Sequence, residues 1–325
     1  MSVETDLLRE RVRFVSARDG QRLALSEVTA RGARTAAAGP AFLLLHGFAQ
    51  NRLGFRLGPM PQALLERGAR VFLGELRGHG ASRVEAGRSW SLTTHLELDL
   101  PALLDGVRRA TDAKAVHLVG HSMGGLLGCA LLAGPAPLAS LTAIATPLLL
   151  GAARPLVRVA SALLGPFATI APRGRRVPMD RFLAALSAPL SRPAARGALR
   201  LLQRVTRLAN PDAAEPEMLR AILASADPES PQVFEELARY AVLRRPWLAG
   251  VDLVSALHRS PLPAAAVVGS DDIFAPRAAV APFDAPGQAG PRIVIEIPSG
   301  THVDAIAGRH VPATVARLWS FLLQE

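Results

Sequence analysis

The strongest constraint on the fold is a series of short apolar segments that alternate with amphipathic ones. Residues 41–45 and 115–119 are mostly apolar runs of five, and the stretch 91–109 carries leucines and a valine at spacings of three and four. Runs of the first kind are typical of strands buried on both faces of a parallel sheet, and spacings of the second kind are typical of helices. Strands that alternate with helices predict a mostly parallel sheet flanked by helices, which is the α/β class.

Further elements of this sheet are predicted on both sides of these segments. Two alternating stretches, residues 11–15 and 23–28, surround Asp19-Gly20 and predict a hairpin. The other predicted strands cover residues 70–73, 141–145, 264–268 and 292–297, and the other predicted helices cover residues 61–67, 123–133 and 311–323. The sheet pattern therefore occupies both the first and the last part of the chain.

The alternation of strands and helices stops between residues 147 and 258. This stretch is rich in Pro, Arg, Ala and Leu, and we interpret it as short helices without a strand. Its most apolar part, residues 155–172, is interrupted by Arg158 and by a Gly-Pro pair, which disfavours a transmembrane helix. We predict one sheet domain, formed by residues 1–146 and 259–325, that is interrupted by a helical insertion at 147–258.

The net charge of +10 is concentrated in this insertion. The chain has 37 basic and 27 acidic residues, and the segment 151–210 alone holds eleven arginines and one aspartate, which leaves 26 of each sign elsewhere. Five of these arginines fall on one face of a predicted helix: Arg192, Arg196, Arg200, Arg204 and Arg207. Such a helix could pack over the core with solvated arginines, contact an anionic membrane surface or admit an acidic acyl substrate. Aromatic residues, at 5% of the chain, are too few for base stacking, so we expect no nucleic acid partner.

The cysteine count and the N-terminal sequence bear on the cellular compartment. Cys129 has no second cysteine to pair with, which excludes an internal disulfide and a cysteine-based zinc site. Residues 1–15 mix acids and arginines and lack the apolar core of a signal peptide. We therefore expect a cytoplasmic protein, which would be peripheral to the membrane if the basic helix binds lipid.

Residues 120–124 read Gly-His-Ser-Met-Gly, a G-x-S-x-G sequence between a predicted strand and a predicted helix. In the sharp turn called a nucleophile elbow, only small neighbours, here Gly120 and Gly124, let the chain pass so closely. The hydroxyl of the serine is then exposed above the sheet at the positive end of the helix. We therefore predict that Ser122 is a catalytic nucleophile.

A serine nucleophile needs a general base, because its hydroxyl is protonated at neutral pH. Of the eight histidines, His302 follows the last predicted strand, where catalytic side chains of parallel sheets collect, and it is our candidate. His121 is adjacent to Ser122 and is expected to project away from it. The other six are expected to be structural or carry no local sign of catalysis: His46, His79, His95, His117, His258 and His310.

The third catalytic group must be a carboxylate that orients the imidazole and offsets its charge. Asp271 and Asp272 lie side by side after the predicted strand 264–268, and these residues alone do not decide between the two. Their place between the serine and the histidine in the chain is the order expected for a serine on an elbow. Asp99 and Asp252 are competitors, on a predicted helix and in the insertion respectively.

An acyl-transfer reaction also needs backbone N–H groups aimed at the developing oxyanion. One is expected from Met123, directly after the nucleophile. The other is expected from the loop after the strand 41–45, where Gly47 permits a tight turn and the Phe48 amide is our candidate. His46, at the start of that loop, is expected to organise it.

Together these segments resemble the α/β-hydrolase fold family, which includes lipases, esterases and peptidase-like proteins. The matching segments are His46-Gly47-Phe48, Arg77-Gly78-His79-Gly80, Gly120-His121-Ser122-Met123-Gly124, Gly269-x-x-Asp272-x-x-x-Pro276 and Gly300-x-His302. The resemblance implies that Asp272 is the triad acid and that the insertion 147–258 is a cap over the active site. The loop at Arg77 usually opens with aspartate in this family, and Glu75 takes that place here.

The resemblance implies a serine hydrolase that cleaves a carboxylic ester without a cofactor or a metal. The apolar cap suggests a small-molecule substrate with a hydrophobic acyl or alcohol part. Dehalogenases and epoxide hydrolases of this fold carry aspartate at the elbow, and polyhydroxyalkanoate-synthase-like relatives carry cysteine, whereas this chain has Ser122. The alternatives are an acyltransferase or thioesterase with the same triad, and a non-catalytic member that binds a membrane or a partner.

Overall fold

The computed structural model describes residues 7–32, 39–153, 176–187, 210, 212–243 and 246–323. Its strands are β1 (Leu8–Ser16), β2 (Arg22–Ala30), β3 (Ala41–Leu45), β4 (Arg70–Gly74), β5 (Val116–His121), β6 (Leu138–Ile144), β7 (Trp247–Leu248), β8 (Val251–Asp252), β9 (Ala264–Gly269) and β10 (Arg292–Ile297). Eight of them form one sheet in the spatial order β1-β2-β4-β3-β5-β6-β9-β10. β7 and β8 form a separate two-stranded pair.

The direction of the strands confirms the predicted architecture. β1 and β2 form an antiparallel hairpin around Asp19-Gly20, and β2 is also antiparallel to β4. The remaining neighbours, from β4 through β3, β5, β6 and β9 to β10, are parallel. The carboxyl ends of these six strands therefore lie at one edge of the sheet, where the loops that carry side chains for chemistry collect.

Helices cover both faces of the sheet. The α-helices are α1 (Leu53–Arg56), α2 (Met60–Leu65), α3 (Leu92–Thr94), α4 (Leu100–Thr111), α5 (Met123–Leu131), α6 (Met179–Ser187), α7 (Pro216–Ala224), α8 (Pro231–Leu243), α9 (Leu253–Arg259), α10 (Asp304–Ala307) and α11 (Val311–Leu323). Side chains of α4 and α5 form one apolar layer with the sheet, and side chains of α2 and α11 form the other.

The central strands are buried on both faces, which explains their unbroken apolar sequences. All five residues of β3 are buried. Leu43 and Leu45 pack in the layer that contains α4 and α5, whereas Phe42 and Leu44 pack in the layer that contains α2 and α11. Because successive side chains of a strand point to opposite faces, a strand between two helical layers needs apolar residues at every position.

The helix predicted over residues 91–109 is interrupted by a π-helical turn. α3 begins after Ser91, whose hydroxyl accepts a hydrogen bond from the Thr94 N–H. The next five residues, His95–Asp99, form the π turn, and α4 follows it. The periodicity of the leucines did not predict this turn, which brings the His95 and Asp99 side chains into hydrogen-bonding contact.

The described part of the predicted insertion contains α6, α7 and α8, and it also contains the β7–β8 pair. The expectation of an insertion without strands is therefore wrong in this detail. Ala249 and Gly250 connect the two short strands with φ angles of 50° and 80°. Two successive positive φ values are typical of a two-residue hairpin turn.

Some predictions about the insertion concern residues that the structure does not describe. The division into a core and a cap stays a prediction. The basic helix of Arg192 to Arg207 and the apolar stretch 155–172 lie outside the described residues. Within the ranges that the structure describes, no helix combines the length and the apolar character needed to cross a bilayer.

Candidate active site

Ser122 lies where β5 ends and α5 begins, in a strained backbone conformation. Its φ and ψ angles are 51° and −113°, a combination that side-chain-bearing residues seldom adopt. A Cβ atom on Gly120 would lie 2.4 Å from the backbone of Gly124, and one on Gly124 would lie 2.6 Å from the Leu45 carbonyl oxygen. Neither position has room for a side chain, so both glycines allow the close passage that an elbow requires.

His302 and Asp272 are brought together from loops that follow two neighbouring parallel strands. His302 Nδ1 lies 2.8 Å from Asp272 Oδ2, and both side chains are buried. The other carboxylate oxygen, Oδ1, accepts hydrogen bonds from the backbone N–H groups of Phe274 and Ala275. Because a carboxylate only accepts, Nδ1 carries the proton, and the lone pair of the neutral ring is then on Nε2.

Of the two adjacent aspartates that the sequence offered, Asp272 is the one in contact with His302. The backbone N–H of Asp271 donates to the Gly300 carbonyl oxygen at 2.9 Å, which joins this loop to the loop of His302. A Cβ atom on Gly269 would lie 2.2 Å from that same carbonyl oxygen. The glycine at the end of β9 therefore permits the close approach of the two loops.

His121 projects from the elbow toward the loop of His302 and is buried. Its Nε2 lies 3.1 Å from the His302 carbonyl oxygen and, facing an acceptor, must carry the proton. Burial, together with the nearby His302, lowers the pKa of His121 to about 3, so the ring stays neutral. The residue adjacent to Ser122 thus connects the elbow to the main chain of His302.

The loop after β3 is in contact with the elbow. A Cβ atom on Gly47 would lie 3.1 Å from both the Ser122 Cβ and His121 Nδ1. Phe48 follows Gly47 directly and Met123 follows Ser122 directly, so their N–H groups belong to the two segments in contact. Met123 is the first residue of α5, where backbone N–H groups have no partner inside the helix.

His46 holds this loop to the segment that follows β4. The Leu76 N–H donates to His46 Nε2 at 3.1 Å, so the ring proton is on Nδ1, which donates to the Gly47 carbonyl oxygen at 2.9 Å. Burial, with a contribution from the charge of His79, lowers the pKa of His46 well below its ordinary value. The neutral ring lies at the base of the Gly47–Phe48 turn.

Glu75, which stands where the family that the sequence resembles usually has aspartate, is accommodated by its neighbours. The carboxylate is fully buried; Oε1 accepts from Arg52 at 2.8 Å and Oε2 accepts from the Ala81 N–H at 2.8 Å. A Cβ atom on Gly80, which has a positive φ of 52°, would lie 1.9 Å from Glu75 Oε1. The longer acidic side chain therefore occupies the space above a glycine.

Asp99 and Asp252, the other candidates for the triad acid, make contacts elsewhere. Asp99 accepts from Arg77 Nε at 2.8 Å and lies 2.8 Å from His95 Nδ1. Asp252 caps α9 by accepting the backbone N–H groups of Val254 and Ser255. Neither contact involves His302.

A buried group that sequence reasoning missed lies beside the Gly47–Phe48 turn. His79, His95 and Glu229 are fully buried, and one potential ligand atom of each lies within 4.8 Å of the other two. Two histidines and a carboxylate are a donor set that zinc can use. The Glu229 carboxylate, however, already accepts N–H groups from Trp90, Ser230 and Ala49.

The charges of this group fit a buried ion pair. His79 Nε2 lies 3.5 Å from Glu229 Oε2. Burial alone would raise the pKa of Glu229, but the His79 charge and the hydrogen bonds outweigh it and lower that pKa to about 2. Burial would likewise lower the pKa of His79, and Glu229 reverses this and raises it. We therefore assign Glu229 and His79 as an ion pair, with His95 beside it.

Comparison with known proteins supports the same fold. The family model for the alpha/beta hydrolase fold matches residues 40–158. Lipase 1 of Drosophila melanogaster is 32% identical over 126 residues, which are 35% of this chain and 27% of the lipase, so the match spans about a quarter of that relative.

Solved structures match the fold over almost its whole length. A thermophilic esterase from Thermogutta terrifontis superposes with a TM-score of 0.61 at 19% identity, covering 95% of this chain and 97% of the esterase. A bromoperoxidase from Bacillus anthracis superposes with a TM-score of 0.62 at 16% identity, covering 97% of this chain and 100% of the other. The protein has the α/β-hydrolase fold.

Proposed function

We propose that the protein is a serine hydrolase that cleaves a carboxylic ester through an acyl-enzyme. The observation that carries this proposal is the 2.8 Å contact between His302 Nδ1 and Asp272 Oδ2, at the sheet edge where Ser122 takes a strained conformation. A histidine that donates Nδ1–H to a buried carboxylate keeps Nε2 as a base. Similarity to proteins called a lipase and an esterase supports the same class of reaction.

The proposed reaction has two half-reactions. In the first, His302 Nε2 takes the proton from Ser122 Oγ as this oxygen attacks the ester carbonyl carbon, and the carbonyl oxygen becomes an oxyanion. The Phe48 and Met123 N–H groups donate to the oxyanion, and each such donor is worth about 10²–10³ in rate. The tetrahedral intermediate then collapses: the C–O bond to the alcohol breaks and His302 returns the proton to the leaving oxygen.

In the second half-reaction a water molecule takes the place of the alcohol. His302 removes a proton from this water, whose oxygen attacks the acyl carbon and forms a second oxyanion. The bond to Ser122 Oγ then breaks, the serine regains its proton from His302, and the carboxylic acid leaves. Asp272 keeps the imidazole in the required tautomer and stabilises the imidazolium in both steps.

Aromatic side chains near these residues support a hydrophobic substrate group. The Phe48 ring lies 5.7 Å from the ring of Phe234 on α8, and the Phe274 ring lies 5.0 Å from the ring of His302. All three phenylalanines are partly exposed. Burial of an apolar acyl or alcohol group against such rings would contribute to binding through the hydrophobic effect.

A panel of p-nitrophenyl esters of increasing acyl length tests the proposal. We expect wild-type turnover, no turnover by Ser122→Ala, and wild-type turnover by Ser320→Ala, which removes an exposed hydroxyl on α11. Equal turnover by the wild type and Ser122→Ala would contradict the proposal. Product analysis with added alcohols and thiols separates a hydrolase, which yields free acid, from an acyltransferase, which yields a new ester or thioester.

A further inference from the structure

We call the segment between α7 and α8, residues 225–230, the strap. The strap belongs to the stretch predicted as an insertion, yet it lies against the loop after β3. The Asp227 N–H donates to the Ala49 carbonyl oxygen at 2.9 Å, and the Ala49 N–H donates to Glu229 Oε2 at 3.1 Å. Both backbone hydrogen-bonding groups of Ala49 are therefore held by the strap.

Ala49 is a position where such support is needed. It is fully buried and has a φ of 54°, a conformation that costs a non-glycine residue of order 1–3 kcal/mol and persists only where its surroundings hold it. Because peptide units are planar, the direction of the Ala49 N–H also fixes the plane that contains the Phe48 carbonyl group. The preceding plane, which contains the Phe48 N–H, is held through the Gly47 carbonyl oxygen by His46.

The strap also makes hydrogen bonds to other residues of the loop after β3 and to the loop after β4. The Asn51 side chain donates to the Ser225 carbonyl oxygen and to Asp227 Oδ2, at 2.6 and 2.8 Å. The Gly80 N–H donates to the same Asp227 oxygen at 2.8 Å. These contacts connect the strap to two loops at the carboxyl edge of the sheet.

The Glu229 carboxylate is held in place by donors that do not belong to the loop after β3. Trp90 Nε1 and the Ser230 N–H donate to its Oε1, and Ser230 Oγ donates to the Trp90 carbonyl oxygen at 2.5 Å. Oε2, which accepts the Ala49 N–H, faces His79. Because the donors to Oε1 hold the carboxylate in place, they also fix the position of Oε2, which accepts the Ala49 N–H.

We propose that Glu229 is a positioning residue for the oxyanion hole: the strap, by holding Ala49, fixes the peptide that follows Phe48, and together with His46, which fixes the peptide that carries the Phe48 N–H, it holds this donor in place. The inference rests on the proposed function, because it assigns a role to the loop that carries one oxyanion donor. Glu229 does not touch the reacting atoms; it acts through the peptide that follows Phe48. The loop after β3 therefore takes the conformation required for catalysis only when the strap is packed against it.

The test is Glu229→Gln, which keeps the size and shape of the side chain. An amide has one acceptor oxygen, so its NH2 group must face either the Ala49 N–H or the Trp90 and Ser230 donors, and at least one contact is lost. We expect kcat to fall about 10- to 100-fold with KM nearly unchanged, since misplacement of a transition-state donor affects the chemical step. Affinity for an alkyl boronic acid, which forms a tetrahedral adduct with the serine, should fall by a similar factor.

The matched control is Glu236→Gln on α8. Glu236 Oε2 also accepts a backbone N–H of the core, that of Leu92, at 2.6 Å, but it makes no contact with the loop after β3. We expect this variant to retain the wild-type kcat and boronic acid affinity. If Glu229→Gln does not fold, Asp227→Asn, which weakens the fastening of the strap at Gly80 and Asn51, should give a smaller fall in kcat.

The outcomes separate the two proposals. A folded Glu229→Gln with wild-type kcat and boronic acid affinity would overturn the role of the strap and leave the hydrolase proposal intact. If it does not fold, wild-type kcat in Asp227→Asn would do the same. A wild-type protein without esterase activity would instead overturn the proposed function. Equal losses in Glu229→Gln and Glu236→Gln would also overturn the positioning role, because they would indicate a general effect of altering this segment.

Discussion

His121 Nε2 donates a hydrogen bond to the main-chain carbonyl oxygen of His302 across 3.1 Å. The contact joins the residue before the proposed nucleophile to the proposed base, although the two are 181 positions apart in the chain. It is independent of the Asp272 contact, which orients the ring of His302 and not its backbone.

Replacing His121 by phenylalanine tests this contact. The variant retains a ring but leaves the buried His302 carbonyl oxygen without its donor, which costs about 1–3 kcal/mol. We expect lower thermal stability and a kcat reduced about tenfold by the less restrained His302. The control is His117→Phe in the same strand, which removes a contact with Ser140 and should leave kcat unchanged. Wild-type kcat in a folded His121→Phe would show that the contact does not position the base.

Asp272→Asn should lower kcat much more than Asp271→Asn. The Asp272 Oδ1 position accepts two backbone N–H groups, so the oxygen of an asparagine is held there and its NH2 group faces His302 Nδ1. His302 would then carry its proton on Nε2 and could not accept one from Ser122, a loss of about 10³–10⁴ in kcat. Steady-state kinetics of both variants measure this, and similar values for the two would exclude Asp272 as the orienting acid.

Gly47→Ala tests the packing of the loop after β3 against the elbow. The added methyl group would lie 3.1 Å from the Ser122 Cβ, so the loop and the elbow must separate by a few tenths of an ångström, which displaces the Phe48 amide relative to Ser122. We expect a fall in kcat of about 10²-fold, comparable to the loss of an oxyanion donor. Gly134→Ala is the control, because a methyl group there meets no atom within 4 Å. An active Gly47→Ala would contradict the assignment of this loop to the oxyanion hole.

Asp304 predicts a specific dependence of stability on pH. Burial raises the pKa of this carboxyl from 3.8 to about 6, against the hydrogen bonds from Thr301 and Asn210. An acid whose pKa is higher in the folded state binds its proton more tightly there than in the unfolded chain. The contribution of protonated Asp304 to stability is therefore complete below the unfolded pKa of 3.8 and is lost as the pH rises through about 6. The full contribution is about 3 kcal/mol, and Asp304→Asn, which does not titrate, removes its pH dependence.

Urea denaturation of the wild type and Asp304→Asn between pH 4 and pH 7 measures this effect. The unfolding free energy of the wild type, relative to that of the variant, should decrease as the pH rises across this range. A difference between the two proteins that stays constant with pH would mean that Asp304 has the same pKa in the folded and unfolded states.

The regular parts of the fold could be predicted because their sequence patterns are local. The strands at 41–45 and 292–297 and the last helix, 311–323, have the predicted limits in the structure. The first is an unbroken apolar run after Pro40, the second is a mostly apolar stretch between Pro291 and Pro298, and the helix carries apolar residues at helical spacing. For residues 41–45, burial on both faces of the sheet requires the unbroken apolar run.

The parts that were missed depend on contacts between distant residues. His79 and Glu229 are 150 positions apart, and nothing near Glu229 in the chain indicates that a buried histidine will face it. The choice of Asp272 came from family resemblance, since two adjacent aspartates look alike until the fold turns one toward His302. The β7–β8 pair has two residues in each strand, too few to show an alternating pattern.

Labelling with a fluorophosphonate probe tests the central proposal most directly, since the probe reacts only with a serine made nucleophilic by its surroundings. We predict that peptide mass spectrometry finds the phosphonyl group on Ser122 of the wild type, and that His302→Ala is labelled at least about 10²-fold more slowly. An unlabelled wild-type protein, or a label on another serine, would contradict the account.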